Sequence, residues 1–213
     1  MKKTLASILI TTVLQLTSLP VSADAENLVI VPDNPPNGWS AERYLTLALT
    51  YKNMGAPEKA KTTLRLAIAA ARDNAAKNRA VTMLKSELPR YPVSEDANRL
   101  NNQAYTHMAQ NHNSQAILLF KQCAAKYPKF ESPLNSLSTI YLTQKQPIPA
   151  REAAKKALAI NPDSSNGWLN LGNSYLLESD YKSARTFAEK AIRCYPENSN
   201  AVEMLKYIET KRH

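Results

Sequence analysis

The chain has 213 residues, enough for one domain or one short array of repeats. Only four are glycine, too few for a phosphate-cradling loop, and no long Val/Ile/Thr run follows the first forty positions, which excludes a β-rich fold. The formal net charge of +9 favours anionic partners and is uneven: residues 41–92 hold ten Lys/Arg against four Asp/Glu, residues 97–130 four against none, and residues 165–198 four of each.

Residues 1–23 read as a signal peptide. Met1-Lys2-Lys3 is a positive start, and Leu5 to Leu16 is an apolar core too short to span a bilayer. Val21-Ser22-Ala23 offers the small residues of a cleavage site, with Ala23-Asp24-Ala25 as a second option. No cysteine lies near the cut, so no lipid anchor is expected. The expectation is a periplasmic or secreted protein with no transmembrane segment in its mature chain. Its formal charge would then fall to +7, because the segment contains Lys2 and Lys3 and no acid.

Residues 24–40, with Pro32, Pro35 and Pro36, read as an extended or disordered leader. Residues 41–92 form a degenerate repeat-like unit plus an extra helix. Framed as 41–74, the unit places Tyr44, Leu47, Ala48, Tyr51, Ala60, Leu64 and Ala67 on apolar faces. A frame of 61–94 preceded by one helix competes, and both frames give three helices. The extra helix carries Ala76, Ala80, Met83 and Leu84 and ends near Leu88-Pro89. Ser94 is a good cap for the next helix, with Glu95 and Asp96 in its first turn. Three units follow, 97–130, 131–164 and 165–198, the second opening on Ser132-Pro133. Residues 199–213 read as a capping helix, where Lys206 replaces the small residue that would admit another helix.

A 34-residue step runs through these units. It links Pro128, Pro162 and Pro196; Ala116, Ala150 and Ala184; Leu100, Leu134 and Trp168; and His107, Tyr141 and Tyr175. Offsets 4, 7, 8 and 11 of each unit share one helical face, because they step by three and four residues. A small residue at offset 8 lets a second helix come close, and the closing proline ends that helix. One such pair cannot bury its apolar stripe alone, so neighbours must complete the core. Residues 165–198 carry Trp168, Leu171, Gly172, Tyr175, Ala184, Ala191 and Pro196, and residues 131–164 carry Leu134, Leu137, Ser138, Tyr141, Ala150, Ala157 and Pro162. Residues 97–130 match through Leu100, Ala104, Ala116, Phe120 and Pro128. These units resemble tetratricopeptide repeats. The resemblance implies an all-α, right-handed α-solenoid of antiparallel helix pairs. The two Asn-Gly-Trp stretches, at Asn37 and Asn166, are 129 residues apart, not a multiple of 34, so their echo is coincidental or local turn chemistry.

No catalytic motif is present, so no enzyme, cofactor or metal site is expected. His107 sits at a core offset and His112 five residues on, a poor spacing for one face; Cys123 and Cys194 occupy different offsets and read as small buried residues. The resemblance implies that first helices line a concave groove for an extended peptide or a partner helix. The groove positions hold Asn98, Asn101, Asn102, Tyr105 and Met108, then Asn135, Ser136, Thr139 and Leu142, then Asn166, Asn170, Asn173 and Leu176. Recurrent asparagine is uncommon on helices, and its amide suits pairing with a peptide backbone. No cation occupies these positions, against the clamp for terminal carboxylates that some relatives use. The expected function is an exported protein–protein interaction module, with no nucleic-acid partner. The alternative is an envelope scaffold whose basic N-terminal half binds an anionic envelope component or an acidic partner.

Overall fold

The computed structural model describes Pro35 and residues 37–211. The predicted signal peptide, most of the leader and His213 lie outside the described residues. Among the described residues there are ten helices and no strand: α1 (Ala41–Asn53), α2 (Pro57–Ala70), α3 (Asn74–Ser86), α4 (Glu95–Ala109), α5 (Asn113–Lys126), α6 (Ser132–Thr143), α7 (Pro147–Ile160), α8 (Ser165–Leu177), α9 (Tyr181–Cys194) and α10 (Ser199–Glu209). The architecture is an all-α solenoid of antiparallel helix pairs, and no described helix is long and apolar enough to cross a membrane. The chain divides within α3 into two compact units, one reaching Val81 and one starting at Thr82.

In the first unit α1 and α2 pack as a hairpin around Tyr44, Leu47, Ala48, Tyr51, Ala60, Leu64 and Ala67, all buried. Glu42 pairs with Arg79 of α3 at 3.2 Å. Gly38 adopts φ +78° in the turn before α1, and the half-buried Trp39 packs against Tyr44, to whose hydroxyl its backbone N–H donates at 3.2 Å. Gly167, by contrast, lies inside α8, where a Cβ would stand 2.8 Å from Leu158. The two Asn-Gly-Trp stretches thus do unrelated work.

In the second unit the pairs α4/α5, α6/α7 and α8/α9 stack, and α10 covers α9. The second helix of each pair packs against the first helix of the next, so the inner apolar stripes find two neighbours. The small residues sit where the paired helices approach. Ala104 and Ala116 are fully buried; Ser138 Oγ donates to Ala150 O at 2.8 Å; a Cβ on Gly172 would lie 3.3 Å from Ala184 O. Each hairpin turn closes the same way. Asn111, Lys145 and Ser179 take φ +60°, +58° and +61° at 34-residue intervals, as Gly55 does in the first unit at +69°. The next N–H in each turn reaches back to His107 O, Tyr141 O or Tyr175 O, the six-to-one bond of a left-handed helix stop.

Ser132, ahead of Pro133, reads in the sequence as the cap of α6, and the helix departs from that. It begins at Ser132, so Glu131 occupies the cap position and makes no side-chain bond to the helix. The Glu131 carboxyl instead turns inward and is 3% exposed. Its Oε1 accepts from Asn161 Nδ2 at 2.9 Å and from Arg90 N at 3.0 Å. Asn161 Nδ2 also faces Leu88 O at 3.4 Å. This buried knot ties the segment between α3 and α4 to the start of α6 and the end of α7. A second joint lies between α7, α8 and α9. The Arg151 guanidinium lies 3.9 Å from the Tyr175 ring centroid and pairs with Glu178; Phe187 stacks on Tyr175 and on Trp168, and Lys190 Nζ lies 4.5 Å from the Trp168 ring centroid and 5.4 Å from that of Phe187.

Candidate partner-binding surface

The predicted groove residues belong to α4, α6 and α8, the first helices of three pairs in the second unit. Side-chain hydrogen bonds join these helices directly. Ser136 Oγ donates to Tyr105 OH at 2.8 Å, and Asn170 Nδ2 donates to Thr139 Oγ1 at 3.2 Å and Asn135 O at 3.0 Å. Both links run from offset 9 of one unit to offset 6 of the next. Tyr105 is held from behind by the edge of the Phe120 ring, 5.3 Å between centroids.

The predicted groove residues therefore divide. Asn101 and Asn170 are buried, at 4% and 8% exposure, and the Asn170 amide is used between helices. Asn135 is half-buried, and its Nδ2 faces Ser164 Oγ at 3.4 Å. Asn101 and Asn135 share offset 5, and each keeps its amide oxygen buried with no hydrogen-bond partner. Asn98, Asn102, Tyr105, Thr139 and Asn173 are half-buried, and Asn166 is exposed. Asn98 and Asn102 line a shallow open depression on α4 with Glu95, Arg99, Gln103 and Thr106. Met108, Leu142 and Leu176, also predicted groove positions, are buried core residues instead. Sequence reasoning took all the asparagines as one ligand-facing set; the polar pairs at offsets 9 and 6 were the signal for a stacking ladder.

Burial pushes the Cys123 thiol up to about 11, and its Sγ faces Ala97 O at 3.6 Å. Cys194 is half-buried and free, its thiol also raised, first by burial. The His107 and His112 rings are 6.0 Å apart, and among the described residues no three His, Cys, Asp or Glu side chains gather as a metal site. Asp96 is held below the ordinary carboxylate range by its hydrogen bond with Arg99, 2.6 Å away.

Models of the tetratricopeptide repeat match residues 41–74 and residues 153–186. The second match starts in α7 and ends in α9, out of phase with the unit 165–198; a stacked array has the same contacts whichever helix is counted first. No curated protein matches the chain significantly. Among solved structures, the chain is similar to the tetratricopeptide domain of Sgt2 from Aspergillus fumigatus, with 25% identity over 55% of this chain and 80% of that one at a TM-score of 0.53. The first such domain of Spaghetti (RPAP3), bound to an HSP90 peptide, is 17% identical over 57% of this chain and 97% of its own, with a TM-score of 0.53. The first domain of human RPAP3 is 18% identical over 54% and 90%, with a TM-score of 0.52. With its 34-residue step, its small-residue helix contacts and these matches, the chain carries tetratricopeptide repeats.

Proposed function

We propose that this protein is an exported partner-binding module that holds an extended segment of another protein along the first helices of its second unit. Tetratricopeptide repeats are protein-interaction modules, and the Spaghetti (RPAP3) structure holds an HSP90 peptide. The observation that carries the reading is the direct stacking of α4, α6 and α8, which places Asn98, Asn102, Thr139, Asn166 and Asn173 on successive rungs. Amides and hydroxyls offer donors and acceptors to a peptide backbone without selecting a charge. Catalysis plays no part in this reading. Export through residues 1–23 is part of the same proposal; the mature chain then starts at Asp24 or Glu26, as N-terminal sequencing of protein from envelope extract reads.

The test separates recognition from stability. Asn102→Arg with Asn173→Arg places bulk on the inner face and should lower capture of the envelope partner about tenfold or more, through lost contacts worth at least 1.4 kcal/mol. The melting temperature should hardly move. Asn170→Ala behaves oppositely, losing about 2 kcal/mol of stability because it orphans buried groups between two helices. Glu152→Arg, on the exposed side of α7, leaves both unchanged. Capture by the double arginine variant equal to wild type rules the groove out.

A further inference from the structure

We propose that the outer face of α5 is a second docking surface, which takes an acidic, partly apolar helix from a partner protein. It lies on a second helix and is independent of the groove reading. Leu118 is 58% exposed at its centre. Gln122 and Ala125 continue that line by helical spacing, and Lys121 and Lys126 run along its two edges, all of them exposed. α5 contains no acid. Exposed Lys129 follows the helix, its Nζ 5.5 Å from the Tyr91 ring, while Lys126 Nζ lies 5.3 Å from the Tyr127 ring.

The neighbouring acids do not cancel this charge. Asp96 is engaged by Arg99, and although its carboxylate also feels Lys126, no ion pair of the described residues uses Lys121, Lys126 or Lys129. The equivalent helices differ. α7 has Glu152 where α5 has Leu118, and α9 has Glu189 where α5 has Lys121. The acid-free stripe thus sets α5 apart from α7 and α9. Its charge calls for carboxylates on both sides of an apolar line, the pattern of an acidic amphipathic helix. A bilayer fits less well, because an embedded face needs a broad apolar stripe and α5 exposes one large apolar side chain.

The probe is a fluorescein-labelled helical peptide of repeated Glu-Glu-Leu-Ala-Ala-Leu-Glu heptads, titrated into the full chain at low and moderate salt. Wild type should bind at low salt and weaken as salt rises. The K121Q/K126Q/K129Q variant should bind about tenfold more weakly, the loss expected of three surface ion pairs. Leu118→Ser should weaken binding with its salt dependence intact. R65Q/K155Q/K206Q removes the same charge elsewhere and should stay within about twofold of wild type. An equal loss in both triple variants, no binding by wild type, or stronger binding to anionic phosphatidylglycerol vesicles than to the peptide would each overturn the proposal.

Discussion

Asn161→Ala should lower the stability of the second unit by about 3 kcal/mol, the range expected when one partner of a buried polar cluster is removed. Asn161 is 1% exposed, and its amide supplies Glu131 Oε1 with one of two donors at 3.0 Å or less. Truncation leaves a buried carboxyl short of one donor. It also frees the segment around Leu88 from the end of α7. Glu131→Ala should cost a similar amount. The double variant should cost less than the sum by about 1 kcal/mol or more, because either deletion alone already removes the hydrogen bond the two side chains share. Urea unfolding followed by Trp168 fluorescence reads all three. Additive losses, or an Asn161→Ala loss under about 1 kcal/mol, would mean that the cluster does not hold these segments together.

Phe120→Ala should cost about 4 kcal/mol and lower the midpoint of thermal unfolding by about 10 °C. The ring is fully buried among Ala104, Met108, Leu137, Ile140 and Ala153, so it touches both helices of its own pair and the next pair. Its loss opens a cavity at a joint between repeats. Phe120→Leu should cost about 1.5 kcal/mol, since most of the volume survives. The effect should reach the inner surface. Tyr105 loses the ring edge that seats it, and its bond with Ser136 weakens. Partner capture by Phe120→Ala should therefore fall even below the temperature at which the chain unfolds, whereas Phe120→Leu should keep it. Circular dichroism and capture on the same preparations make the comparison. Full capture by a destabilised Phe120→Ala would separate the core from the surface.

The fold was legible because its rules are written one residue at a time. Proline near the end of each of the last three units and alanine at offset 20 of each recur at 34 residues, and no other helical arrangement needs that coincidence. The hairpin turns were not legible. Asn111, Lys145 and Ser179 hold a left-handed backbone that glycine would have announced. The six-to-one bonds around them overcome the cost of a side chain there, and such bonds leave no mark in the sequence. The asparagine recurrence was legible, but not its division of labour. Offsets 5 and 6 stand at the border between the next first helix and the open face. Asn170, at offset 6, faces Thr139, while Asn166, at offset 2, is exposed. The Glu131 cluster was out of reach, because Arg90 and Asn161 lie 41 and 30 residues from the carboxyl they share and neither follows the period.

Deletion of residues 165–198 tests in-register stacking most directly. Ser164 caps α8 through Gly167 N as Asn198 caps α10 through Ala201 N. After the cut, Ser164 would cap α10, and Met204 and Ile208 would meet Ala150, Ala154 and Ala157 in place of Ala184, Ala188 and Ala191. The shortened chain should fold cooperatively with eight of the ten described helices, at lower stability because one interface is gone. Deletion of half that length, 165–181, should not fold, because it joins helices out of phase. A shortened chain that collapses as the half-repeat deletion does, with little helical circular dichroism at low temperature, would contradict the account.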